Sequence, residues 1–268
     1  MKHLARLLLL WALLLPGGNA ARAAEPRDVV FVAACDGTEQ RYVLIEPEHV
    51  DPQTPRDLLI ALHGHGSDRW QFINGQEGEL LVPRTVAAKY QMVFVSPDYR
   101  AKTSWMGPKA EADLVQIIAE LKEKLPIRQV FLCGSSMGGS SSLTFAVLHP
   151  ELIDGVASNN GTANHLEYEK FQEAIAESYG GTKNALPEEY EKRSAEYWPE
   201  RLTMPVGIAA GGRDTVVPPE SVVRLAKVLK LLDRPVRILY REEGGHSTTY
   251  DDSVQLLEFI ITEARKIP

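Results

Sequence analysis

Gly134-Ser135-Ser136-Met137-Gly138-Gly139 decides how this chain is read. The apolar run 129–133 precedes it and an Ala/Leu-rich run ending near His149 follows, so the context is a strand, a sharp turn and a helix. A serine at the tip of such a turn is held at strained backbone angles, and glycines on either side give the close-packed turn room. Ser136 is the candidate nucleophile. Because the turn opens a helix, the backbone N–H of Met137 points toward the place where an oxyanion would form.

A serine hydroxyl needs a base, and the usual base is a histidine oriented by a carboxylate. His246, in Glu243-Gly244-Gly245-His246-Ser247, lies in a Gly-rich loop between the last expected strand and the last helix. Of the other histidines, His149 at a helix end reads as a cap or surface residue. His49 and His165 lie in polar stretches without a supporting motif, and His3 lies in the basic amino-terminal segment. The acid is Asp214, in Gly211-Gly212-Arg213-Asp214-Thr215-Val216-Val217-Pro218, where carboxyl ends of parallel strands gather catalytic groups. An Asx-turn or N-cap aspartate would look the same locally, but the order Ser, Asp, His favours catalysis. His63-Gly64-His65-Gly66 follows the buried strand 58–62 and supplies the second oxyanion donor, the N–H of His65 or of Gly66. A metal at His63 and His65 lacks a third ligand cluster; His63 reads as a loop brace. Neither metal nor cofactor is called for.

The 268 residues carry a net charge of -7, with 44% hydrophobic and 24% charged residues, an ordinary globular composition that speaks against a nucleic-acid partner. Lys2, His3 and Arg6, an apolar run over 7–15 and Ala21-Arg22-Ala23 form a signal-peptide pattern. Cleavage after Ala23 implies a secreted or periplasmic protein; an uncleaved anchor is the alternative, although the run falls short of about 20 residues. Two cysteines, Cys35 and Cys133, are too few for a disulfide framework and read as free thiols, a single bridge between them being the alternative.

Runs 29–34 and 41–45, separated by the turn 35–38, read as an antiparallel hairpin. Apolar strands at 58–62, 92–96, 130–133, 155–157, 206–210 and 236–240 alternate with helical patterns at 111–125, 221–232 and 250–266. This rhythm implies one α/β catalytic domain over 24–268, a mostly parallel eight-stranded sheet with helices on both faces. From 164 to 202 the rhythm breaks. An amphipathic helix carrying Tyr168, Phe171, Ile175 and Tyr179, then Gly180-Gly181 and a Glu- and aromatic-rich stretch, reads as a small helical cap or a plain surface excursion. Trp70, Tyr99, Trp105 and Trp198 fall in loops near strand ends or in this insertion, and are candidates for the substrate pocket wall.

His-Gly-x-Gly at 63–66, Gly-x-Ser-x-Gly at 134–138, then Asp214 and His246 together resemble the α/β-hydrolase superfamily over the whole length after the signal. Within it the chain is similar to small secreted feruloyl esterases and polyhydroxybutyrate depolymerases. Tyr179-Gly180-Gly181, Pro187, Tyr190 and Arg193-Ser194 also resemble the catalytic domains of prolyl-oligopeptidase-like enzymes. The resemblance implies hydrolysis of a small-molecule or polysaccharide-linked ester; no cysteine directly follows the apolar run 7–15, so no stable membrane anchor is expected. A peptidase or aminoacyl hydrolase is the first alternative, and a noncatalytic binding protein on the same fold the second.

Overall fold

The computed structural model describes residues 25–48, 53–100 and 102–266. The expected signal peptide, 1–23, lies outside them. Two β-rich segments joined by a turn at 33–38 form β1 (Arg27–Val32) and β2 (Glu39–Ile45), with Gly37 at φ +73° where a side chain would be strained. Next come β3 (Arg56–Leu62), α1 (Gln71–Asn74), α2 (Gly78–Lys89), β4 (Val93–Pro97) and α3 (Pro108–Lys124). β5 (Ile127–Ser135), α4 (Met137–Leu148) and β6 (Gly155–Asn159) make the centre. α5 (Gln172–Tyr179), α6 (Pro187–Lys192), β7 (Val206–Gly211), α7 (Glu220–Leu231), β8 (Val236–Arg241) and α8 (Tyr250–Ala264) complete the chain.

The strands form one sheet of eight in the order β1-β2-β4-β3-β5-β6-β7-β8. It is mixed: β1 and β2 run antiparallel, and β2 meets β4 antiparallel, while every pair from β4 to β8 is parallel. Parallel strands buried on both faces read as unbroken apolar runs, and alternate residues divide between two cores. Leu58, Ile60 and Leu62 join Val130 and Leu132 against α3, α4 and α7. Leu59, Ala61, Phe131 and Cys133 face α1, α2 and α8. α3 shows why its sequence is helical: Pro108 presets the first turn, Leu114, Ile117, Ile118 and Leu121 form one buried stripe, and Lys122 and Lys124 sit at the negative end.

α1 and α2 carry no periodic stripe strong enough to be expected from sequence, and Pro83 lies inside α2. The interval 160–205 holds α5, α6 and short 3-10 turns at Ala195–Tyr197 and Pro199–Arg201. Its first helix is shorter than the aromatic spacing suggests. Only Ile175 and Tyr179 lie on α5; Phe171 precedes it at φ 55°, and Tyr168 lies in the turn before that. Thr144, inside α4, donates to the Arg193 carbonyl, and the buried Arg193 guanidinium donates to Glu111, Glu189 and the Met106 carbonyl, so this insertion is fastened to the body. Cys35, at the β1–β2 turn, and Cys133, buried in β5, are both free thiols. Among the described residues no helix is long and apolar enough to cross a membrane.

Candidate active site

The elbow between β5 and α4 is built by close backbone approach. A Cβ on Gly138 would lie 1.8 Å from the Leu62 carbonyl oxygen, and one on Gly134 would lie 2.4 Å from the backbone of Gly138. Neither position tolerates a side chain. Ser136 at the tip has φ 58° and ψ -119°, and its N–H donates to the Asn159 carbonyl at 2.8 Å, which tethers the strained turn to β6.

Three loops at the carboxyl edge of the sheet bring the expected polar residues together. Ser136 Oγ lies 2.8 Å from His246 Nε2, and His246 Nδ1 lies 2.6 Å from Asp214 Oδ2. With Nδ1–H donating to the carboxylate, Nε2 is left to accept the serine proton. Asp214 forms the Asx turn its sequence context allowed and also faces His246. Its Oδ1 accepts the N–H groups of Val216 and Val217 at 2.8 and 2.9 Å, an Asx-type turn that fixes the carboxylate, while Oδ2 faces histidine. Its side chain is buried, whereas the imidazole remains 24% exposed and open to substrate.

Asn160 sits where these loops meet, and the sequence reading missed it. It is buried, adopts φ 50°, and its N–H donates to the Ala209 carbonyl. Its Nδ2 faces Asp214 Oδ2 at 3.5 Å and the Gly245 carbonyl at 3.3 Å, while its Oδ1 accepts from Thr248 Oγ1 at 2.5 Å. The Thr248 N–H in turn donates to Glu79 at the start of α2. Burial raises the Glu79 carboxyl pKa above the usual carboxylate range. One amide thus ties the acid loop to the histidine loop. Asn-Asn-Gly directly after an apolar strand was the available signal, since asparagine tolerates the left-handed region.

The two proposed oxyanion donors keep their N–H groups free of backbone acceptors among the described residues. Met137 N–H opens α4 and has no intrahelical acceptor. Of the alternatives after β3, Gly66 is spent, because its N–H donates to the Lys102 carbonyl at 2.7 Å, whereas His65 N–H makes no backbone hydrogen bond among the described residues. That loop is braced throughout. Gly64 N–H donates to Gln71 Oε1 at 2.7 Å, and the buried His63 ring lies between the carbonyls of Gly64 and Asp98. His63 and His65 do not converge on a shared point, since the His65 ring turns to Trp105 and Phe171 instead. Burial lowers the pKa of both rings, favouring neutral imidazoles.

Of the four aromatics expected to wall the pocket, Tyr99 and Trp105 are buried, while Trp70 and Trp198 are half-buried against other elements. Tyr99 and Trp105, 2% and 0% exposed, act through the loop. Tyr99 donates its hydroxyl to the His63 carbonyl at 2.6 Å, and Trp105 Nε1 donates to His65 Nδ1 at 3.2 Å. Trp198 lies under Arg201, whose guanidinium reaches the Val147 carbonyl near the far end of α4, roughly 16 Å along the helix from Ser136. Trp70 packs with the α1 and α2 core beside Arg69. Phe171, outside these four, packs against the loop after β3, its ring 4.3 Å from that of His65.

This geometry stands on a chain whose residues 99–261 match the sequence profile of the prolyl oligopeptidase family. The chain belongs to that family. The match spans Ser136, Asp214 and His246 but begins after the His65 loop. A curated relative, feruloyl esterase C of Emericella nidulans, is 25% identical over 157 residues, which is 53% of this chain and 58% of that one. The chain spans about half the length of the curated relatives it matches. Among solved structures, puromycin hydrolase superposes with a TM-score of 0.72 at 17% identity, over 91% of this chain and 40% of its own. S-formylglutathione hydrolase from Staphylococcus aureus superposes at 0.66 and 16% identity, over 91% and 99% of the two chains. Such likeness establishes the α/β-hydrolase fold for this member of the prolyl oligopeptidase family.

Proposed function

We propose that the protein is a serine hydrolase that cleaves carboxylic esters through an acyl-enzyme. The observation that carries this is the continuous Ser136–His246–Asp214 hydrogen-bond chain, 2.8 and 2.6 Å, beside the Met137 and His65 N–H groups. Ser136 Oγ attacks the carbonyl carbon while His246 Nε2 takes its proton. The carbonyl oxygen becomes an oxyanion held by the two N–H groups, and Asp214 stabilises the imidazolium. Collapse expels the alcohol, which receives the proton from His246. Water, deprotonated by the same ring, then releases the acid and restores Ser136. No metal or cofactor enters these steps.

The similarity to a feruloyl esterase supports an ester substrate. Cleavage of amides is a second reading, favoured by the prolyl oligopeptidase match itself. The test compares initial rates of the purified protein on p-nitrophenyl acetate, p-nitrophenyl butyrate, methyl ferulate and a Gly-Pro anilide with those of Ser136→Ala. Ester turnover that falls on the order of a millionfold in the variant is the expected result. A faster anilide would replace the ester reading by the peptidase one. Equal inactivity of both proteins toward all four, with no labelling of Ser136 by a fluorophosphonate, would remove the catalytic reading. We further infer export, on the charge and hydropathy pattern of residues 1–23.

A further inference from the structure

The sheet ends at β8, and that edge is left open. Strands β3 to β7 are buried along nearly their whole length, whereas β8 is half-buried or exposed at every position, Tyr240 being 48% exposed. Its outer main-chain N–H and C=O groups form a row with which another strand can pair. Charged side chains commonly blunt such edges. Here both arginines of β8 turn to the α8 face, where Arg237 lies 4.8 Å over the Phe259 ring and Arg241 pairs with Asp252.

On the other face, β8 and α7 enclose a groove of about 330 Å³. Glu220, Val223, Lys227 and Lys230 line its helical side, and Ile238 and Tyr240 its strand side. The four α7 positions recur at intervals of three and four, so they form one stripe along the helix. The stripe is acidic in its first turn and basic towards its last. Glu220, Lys227 and Lys230 are exposed and make no ion pair among the described residues. Leu231, 86% exposed and one turn after Lys227, extends the apolar surface.

We propose that this face binds a second copy of the chain, whose β8 pairs antiparallel with the first and continues the sheet across a two-fold axis. An axis normal to the sheet keeps each face on its own side, so odd residues meet odd and even meet even. Two central registers compete. With Leu239 opposite itself, Arg237 would face the partner's Arg241, and like charges directly opposite are destabilising. With Ile238 opposite itself, Val236 meets the partner's Tyr240, an aliphatic–aromatic pair. α7 returns between two parallel strands and so runs antiparallel to β8. The same axis therefore lays α7 against its copy head to tail, with Glu220 beside the partner's Lys230 and Val223 beside the stem of the partner's Lys227. One geometry satisfies the open edge, the groove and both ends of the charged stripe.

The experiment is sedimentation velocity from about 1 to about 100 μM protein. It compares the wild type with Glu220→Lys, Lys230→Glu and the double variant carrying both. Each substitution acts at two contacts across the axis, so either single reversal sets like charges together twice. The dissociation constant of the dimer is expected to rise about tenfold or more in each. The double variant exchanges the two signs and is expected to restore the wild-type constant, which neither misfolding nor a general effect of surface charge would do. Circular dichroism checks the fold of each variant. A wild type that stays monomeric throughout overturns the proposal. A dimer that neither single reversal weakens uses another face, such as β1, and also overturns it, as does a double variant no tighter than the singles.

Discussion

Replacing Asn160 separates two contributions that the structure superimposes there. Asn160→Gly removes the amide but keeps the backbone free to adopt φ 50°; Asn160→Ala removes the same amide and adds a Cβ in the left-handed region. The lost contacts are one short bond, from Thr248 Oγ1 at 2.5 Å, and two long ones, to Gly245 and Asp214 at 3.3 and 3.5 Å. One good hydrogen bond contributes about 1 kcal/mol net, and a buried partner left unpaired costs about 1–3 kcal/mol. The glycine variant should therefore lose about 2–3 kcal/mol of stability, and alanine about 1 kcal/mol more. Both should lower kcat about ten- to hundredfold with little change in KM, because the acid and histidine loops lose their common tether. Urea unfolding followed by tryptophan fluorescence gives the stabilities, and steady-state rates on p-nitrophenyl butyrate give kcat and KM. Equal stability of the two variants would refute the backbone argument. An unchanged kcat in both would refute the claim that Asn160 positions the triad.

Gly138→Ala should be far more damaging than an ordinary surface change, since its Cβ would meet the Leu62 carbonyl at 1.8 Å and the elbow must open to admit it. The expected result is a folded protein by circular dichroism that fails to label with a fluorophosphonate, and full labelling would contradict the close-approach argument. A pH effect follows from His165, which is fully buried, with its pKa pushed down to about 3 by burial and then by the charge of Arg193. Its folded pKa lies below its unfolded one, so its contribution is complete above about pH 6.5 and is lost as pH falls toward 3. The loss is about 2 kcal/mol between pH 7 and 5. His165→Gln should flatten the stability profile over that interval, as read from urea midpoints at pH 5, 6 and 7; a profile as steep as wild type would show that His165 does not carry it. Glu111 loses stability at lower pH. Burial pushes its carboxyl pKa up, but His149 and Arg193 outweigh that and hold it at about 2, so its share lies mainly below pH 4.5 and remains in the variant.

The elbow, the strands and the order of Ser136, Asp214 and His246 were legible because each depends on a short stretch: an apolar run, glycines at fixed offsets, a polar residue just past a strand end. The hairpin and parallel strands followed from the same local patterns. The antiparallel contact of β2 with β4 did not, because it joins residues about fifty positions apart. α1 and α2 were missed for want of a periodic stripe, and Pro83 argues locally against the helix that contains it. Two of the expected wall residues were misread for a related reason. Trp105 and Tyr99 sit in a loop near a strand end, as a wall residue would, yet their burial is decided by the insertion and the His63 loop packing over them.

Local strain supplies what local pattern does not. Nine non-glycine residues among those described have positive φ. Gln91 and Asp233 lie at the opposite edge, before β4 and β8; the other seven lie beyond the carboxyl ends of β4, β5 and β6. Tyr99, Trp105, Ser136, Asn160 and Phe171 are among these seven, and each touches the triad, the oxyanion loop or a residue that holds one of them. Such conformations cost of order 1–3 kcal/mol each and persist only where the surroundings over-determine them. The fold supplies that surplus from a sheet buried on both faces. Aromatic residues forced into glycine's conformation gather on the edge that carries the triad, which is why Phe171, placed by its spacing on an apolar helical stripe, belongs instead beside the His65 loop.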